Sequence, residues 1–198
     1  MPLTVSGALG ASKWRRPRVS SYEPLREAAV RFCPPYELLE EAKGRLRIKL
    51  RDPQGYRPDL SLSHRNVRRM FLKANYLHIG CTVPGDGPPA DGQITFKFRG
   101  WFSNQRADVR WAHDVPDGEA WLHRLRDPLV RAVSTIQAVQ QLRIGWSPRR
   151  GAWRLELETL SGSMLSGITA VLPIAVPFDR EEAAGVVAII DALAATRS

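Results

Sequence analysis

Histidines, cysteines and a few closely spaced carboxylates are the residues of this 198-residue chain that could act on a substrate. His64, His78, His113 and His123 form no HExxH, HxH or Cys/His grouping of the kind zinc needs. His78 and Cys81 lie three apart, which on a strand puts them on opposite faces, so they predict neither a metal site nor an activated thiol. His113-Asp114 reads as a strand end meeting a turn. Gly162-Ser163 lacks the GxSxG frame of a nucleophile elbow. No GxGxxG follows a strand pattern and no GxxxxGK[ST] occurs, so no nucleotide cradle is expected. Glu156 and Glu158 would share one strand face, about 7 Å apart. Paired carboxylates do acid–base work only inside a cleft, and the plainer reading is a solvated row facing Arg143 or Arg154 on a neighbour. The expectation leans away from an enzyme, with no catalytic residue, metal or cofactor.

Charge is the stronger signal. The net charge is +9; residues 1–99 hold 18 Lys+Arg against 9 Asp+Glu, and residues 100–198 hold 11 against 11, so the whole excess lies in the N-terminal half. Such asymmetry points to an anionic partner. Arg45, Arg47, Lys49 and Arg51 alternate with Leu46, Ile48 and Leu50, so a strand would gather the four cations on one face. Lys97, Arg99 and Arg110 fall on the polar rows of other segments. If these strands are neighbours, the like charges repel, and either acids from helices or from Glu156 and Glu158, or an anionic partner, must neutralise them. Ahead of the row, residues 1–20 read as a flexible basic arm carrying Arg15, Arg16, Arg18 and Trp14, an indole among cations that can stack on a base or fold back.

The positioning elements follow from periodicity. Leu25, Ala28, Ala29 and Phe32 predict a helix near 22–32. Pro34-Pro35 ends it and opens a short second helix stopping at Gly44. After the strand at 45–51 and a turn at 52–55, Ser63 caps a helix carrying Val67, Met70 and Phe71. Strands follow near 75–83, at 93–101 and around Val109 and Trp111, as an antiparallel meander with one wet face. A helix at 118–126 precedes another opened by Asp127-Pro128. Strands carry Leu142, Ile144 and Trp146, then Trp153, Leu155 and Leu157, then Met164 to Val171. Asp179 and Glu182 cap a closing helix with Val186, Ile189, Ile190 and Leu193 inward. The fold class is α+β: residues 21–198 form a single domain, a mostly antiparallel sheet with helices on one face, and the element order hints at two related halves.

No run of about 18 apolar residues predicts a membrane span. The start lacks a secretory signal, and Cys33 and Cys81 fit two thiols in a reducing, cytoplasmic setting. Trp153-Arg154-Leu155-Glu156-Leu157-Glu158, Ser161-Gly162-Ser163, a proline-bearing connection and the closing helix resemble an uncharacterised bacterial family known as a domain of unknown function. Phe71, the strand ending at Arg99-Gly100 and the Asp127 helix extend the likeness over residues 65 to 195. The resemblance implies no activity. The expected function is a non-enzymatic binding protein. Its basic half would engage a polyanion such as nucleic acid through Arg15, Arg16, Arg18, Arg45, Arg47, Lys49, Arg51, Lys97 and Arg99, with Trp14 stacking. Two alternatives stand: a carrier of an apolar ligand in a sheet–helix pocket lined by Phe96, Phe98, Trp111 and Trp153, and an assembly subunit, homo-oligomeric or with a protein partner, using the apolar edge Leu172 to Phe178.

Overall fold

The computed structural model describes residues 23–32, 36–42, 45–52, 55–69, 72–99, 106–167 and 174–197. The helix α1 (Glu23–Phe32) leads into six strands: β1 (Tyr36–Ala42), β2 (Arg45–Asp52), β3 (Gly55–Arg69), β4 (Leu72–Pro84), β5 (Gly92–Arg99) and β6 (Arg106–Trp111). Then come α2 (Gly118–Ser134), β7 (Val139–Ser147), β8 (Ala152–Gly167), the two-residue β9 (Ile174–Ala175) and α3 (Arg180–Ala194). All strand pairs are antiparallel in one sheet of order β1-β2-β3-β4-β8-β7-β5-β6, with β9 pairing β8 beside this path. The β7–β8 hairpin is thus inserted between β4 and β5 rather than added at an edge. The class is α+β.

Alternation decides which face is dry. On β2, Leu46 and Ile48 are buried while Arg45, Arg47 and Lys49 are exposed. The inner rows continue through Leu60 and Leu62, Leu77 and Ile79, Leu155 and Leu157, Leu142 and Ile144, and Ile94. The three helices pack together as one layer over this face. Helix α1 contributes Leu25, Ala28, Ala29 and Phe32 at the predicted spacing; burying its Leu and Phe is worth about 1.5–3 kcal/mol each. Phe32 stacks on Phe178 at 5.5 Å between ring centres.

Helix α3 starts as its sequence predicts. The Asp179 carboxylate accepts from the Glu182 amide at 2.8 Å, and Glu182 accepts in return from the Asp179 amide at 3.1 Å. Glu182 also accepts from the Gln137 amide at 3.0 Å, tying α3 to the α2–β7 corner.

Three expected helices are different in the structure. Residues after Pro34-Pro35 form β1, paired with β2 through a bulge between Leu38 and Glu40. The expected helix at Ser63 is the outer half of β3, in register with β4 from Ser61↔Gly80 to Arg69↔Leu72. Alternation prevails over the helical spacing: Leu60 and Leu62 are buried, while Ser61 and Ser63 are half-exposed; Met70 and Phe71 of the expected helix lie outside the described residues. The third difference is that α2 is continuous through Pro128, and Asp127 is not a cap. Proline removes one backbone hydrogen bond there, but the buried stripe Leu122, Leu125, Leu129 and Val133 runs unbroken across it and outweighs the loss.

Strand β8 likewise absorbs residues 164–167, expected as a separate strand. Its two halves meet where the β4 register shifts between Asn75 and Leu77. Gly162 sits there at φ +73, and a Cβ on it would lie 2.7 Å from Leu77 Cδ2, so only glycine fits. Buried hydroxyls satisfy the irregular backbone: Ser163 Oγ donates to Thr159 O and accepts from the Leu77 amide, while Thr159 Oγ1 donates to Gln137 O. No helix among the described residues is long and apolar enough to cross a membrane.

Candidate anion-binding face

The face of the sheet turned away from the helices carries the polar rows. Arg45, Ser63, His78, Glu158 and Gln141 stand abreast on β2, β3, β4, β8 and β7. The next row is Arg47, Ser61, Gly80, Glu156, Arg143, Thr95 and Arg110, reaching β6. Among the described side chains this face holds eight cations (Arg45, Arg47, Lys49, Arg65, Lys97, Arg110, Arg143, Arg154) and four anions (Asp59, Asp108, Glu156, Glu158).

The β2 row is a strand with Arg45, Arg47 and Lys49 outward, as predicted, and its register with β3 shifts between Lys49 and Arg51. It is also partly compensated. Arg47 Nη2 lies 3.1 Å from Asp59 Oδ2, and Asp59 stands in register with Lys49. The supposed neighbours Lys97, Arg99 and Arg110 are not beside it: β3, β4, β8 and β7 intervene. Five strand spacings of about 4.8 Å put β5 about 24 Å away, well past the screening length of about 8 Å in physiological salt. Mutual repulsion is therefore no burden on the fold. Lys97 faces Asp108 across β5–β6. Arg99 and Arg51 belong to β5 and β2, and their side chains lie outside the described set, as do Arg15, Arg16, Arg18 and Trp14.

At the centre is a depression of about 350 Å³ lined by Arg45, Ser63, His64, Arg65, His78, Gln141, Arg143, Glu156 and Glu158. Gly80, in register between Ser61 and Glu156, adds no side chain beside it, and an added Cβ would meet nothing closer than His78 Cε1 at 3.6 Å. Arg65 Nη1 reaches over β4 to Glu158 Oε1 at 2.5 Å, and the carboxylate holds the guanidinium protonated more firmly than usual. Arg154 meets Glu156 at 2.6 Å. The acid pair thus orients guanidiniums, as the plainer sequence reading had it, although Arg154 comes from its own strand and Arg65 is a partner no spacing rule names. The donors of Arg143 assign the Gln141 amide oxygen to the position 2.6 Å from Nε and Nη2, where it can accept from both.

This depression continues into a second of about 580 Å³, sharing Arg65, Gln141, Arg143 and Glu158 and adding Tyr76, Gln93, Thr95, Phe96 and Gln140. Register explains it. Strands β5 and β7 pair only from Gly92↔Trp146 to Thr95↔Arg143. Beyond, β5 stays with β6 as far as Arg99, and β7 stays with β8 as far as Val139. The two strands fork, and the space runs from the open face over β3, β4 and β8 into the fork.

The remaining candidates are placed elsewhere. Cys81 faces the core, 8% exposed, and burial pushes its thiol up to about 12, so it is a packing residue, on the face opposite His78. His113 is exposed beyond β6 near Asp91 O. Trp111 and Trp153 stack at 6.4 Å inside the core, whereas Phe96 lines the open fork. The described aromatics expected around an apolar ligand are thus divided between packed interior and open groove. Of the expected apolar edge, Ile174 is 62% exposed and Phe178 is buried; residues 172 and 173 lie outside the described set. Among the described residues no three His, Cys, Asp or Glu are placed to hold a metal ion.

No curated protein and no solved structure matches the chain. Residues 34–196, a wider span than the resemblance in the C-terminal part predicts, match the family described as a protein of unknown function, DUF3156, and the chain belongs to that family.

Proposed function

We propose that the chain is a binding protein that receives a polyanion, nucleic acid foremost, across the open face of its sheet. The observation that carries this is the eight-to-four balance of described cations over anions on the face turned away from the three described helices. The helical layer differs: α2 sets Arg124, Arg126 and Arg131 against Glu119 and Asp127, and α3 sets Arg180 against Glu181, Glu182 and Asp191. Phosphates on guanidinium groups give affinity without reading sequence. The footprint extends beyond the β2 row to Arg65 and Arg143, because Asp59 already offsets Arg47.

Binding of a fluorescent 20-nucleotide strand, followed by anisotropy against salt, tests the reading. Three or four neutralised phosphates predict a slope of log affinity on log salt of about −2 to −3, a loss of roughly 20- to 50-fold between about 50 and 200 mM. Affinity that is flat over this range, or absent at the low end, ends the proposal.

A further inference from the structure

We infer that the polyanion is a single-stranded nucleic acid and that the fork between β5 and β7 receives one of its unpaired bases. The inference rests on the open-face reading above and adds the chemical class of the ligand. A surface that only needed to attract phosphate would require cations and nothing more. Here the cationic depression opens sideways into a space of different chemistry. Two aromatic side chains supply apolar ring surface, which a base can use whatever its identity: Tyr76, and the edge of Phe96, an inner-row ring packed against the core and reached through the fork. The amides of Gln93, Gln140 and Gln141 line the same space, each offering a donor and an acceptor, as the edges of bases do. Gln141, with its oxygen held by Arg143, has its NH₂ left as a donor.

The two spaces share Arg65 and Arg143, so a phosphate at those guanidiniums places the attached nucleoside at the mouth of the fork. At about 580 Å³ the fork is within the usual size of small-ligand sites, about 300–1,000 Å³. Glu156 and Glu158 set the polarity of the arrangement. Both are held by arginines, and both repel phosphate, which keeps the backbone over the guanidiniums and leaves carboxylate oxygens for base amino groups. In a duplex the bases are stacked and paired, and none can enter the fork without the cost of unpairing.

The test uses the full chain at one salt concentration with five probes: single-stranded DNA, single-stranded RNA, the duplex of the same sequence, an abasic single strand, and inorganic polyphosphate. We expect the base-bearing single strands to bind at least tenfold tighter than the other three, the tighter of the two showing which sugar is preferred. Tyr76→Ala should weaken single strands about tenfold and leave polyphosphate unchanged, while Tyr76→Phe keeps the affinity. Equal binding of abasic and base-bearing strands overturns the inference while leaving the polyanion reading intact. The same holds if Tyr76→Ala, shown folded by circular dichroism, binds single strands like the parent. Failure of all five probes to bind overturns the polyanion reading itself.

Discussion

Trp153→Ala is expected to cost about 3–5 kcal/mol, the range for removing a fully buried large aromatic. Trp153 is 0% exposed and sits where three parts of the chain meet. Its ring packs against Trp146 at 4.9 Å and Trp111 at 6.4 Å, joining β8 to β7 and β6. Its Nε1–H is shared between Asp86 O at 3.1 Å and Thr196 Oγ1 at 3.2 Å, fastening the β4–β5 connection and the end of α3 to the sheet. Truncation therefore leaves a cavity and removes the indole donor from Asp86 O and from Thr196 Oγ1, which keeps only the Asp86 amide. Against a total of about 5–15 kcal/mol for an ordinary domain, the loss is a large part of the stability. Urea unfolding followed by circular dichroism should show the midpoint fall with the slope unchanged. Trp153→Phe should recover part of it, since a ring returns without the N–H. A change below about 1 kcal/mol for Trp153→Ala would show that the indole cluster is not a fastening point.

Glu182→Ala should cost about 2–4 kcal/mol. The carboxylate is 2% exposed and accepts from the backbone amides of Gln137 and Asp179, so alanine orphans two donors and deletes half of the α3 capping box. Each buried donor left unmet costs about 1–3 kcal/mol, and the lost box accounts for part of the same sum. The residue also makes stability depend on pH. Burial pushes its carboxyl above the ordinary range; hydrogen bonds from Ser161, Asp179 and Gln137 pull it partly back, and the Asp179 charge adds a smaller upward push. A carboxyl raised in the folded state binds its proton more tightly there than in the unfolded chain. Its contribution is therefore most favourable below the unfolded value near 4.5 and is lost as pH rises through the raised folded value. Glu182→Gln should flatten that part of the stability–pH curve while remaining destabilised, because an amide has one acceptor oxygen for two backbone donors. A parent curve that rises with pH across this window at the Glu182-dependent step would contradict the assignment.

The elements the sequence specifies unaided are those where one signal acts alone. The capping box of α3, the stripe of α1 and the alternation of β2 each state their structure within ten or fifteen residues. The misread segments are those in which a local signal competes with distant pairing. Tyr36–Ala42 contains Leu and Glu, good helix formers, yet becomes a strand because β2 offers it an edge to pair with from Tyr36↔Leu50 to Ala42↔Arg45. Ser63 has the chemistry of a cap, but β4 is long enough to pair with β3 as far as Arg69, and the ladder prevails.

The same distinction runs through the candidate site. That Arg45, Arg47 and Lys49 face water is a local property and is readable. That Arg65 spans β4 to reach Glu158, or that β5 parts from β7 after Thr95, depends on strand order and register. A one-residue slip would move every one of these groups to the other face. The fork has no motif because its residues come from β3, β4, β5, β7 and β8 and are joined only by the sheet.

Under the proposed function the open sheet face, and not the helical layer, takes the polyanion. Two double variants that remove the same charge test it most directly: Arg45→Gln with Arg143→Gln on the open face, and Arg124→Gln with Arg180→Gln on α2 and α3. With a single-stranded oligonucleotide, the first pair should reduce the steepness of the salt dependence by about 1 to 1.5 and the second should leave it unchanged. Equal losses from both pairs would mean that net charge alone attracts the ligand, and the open face would have no special part in binding.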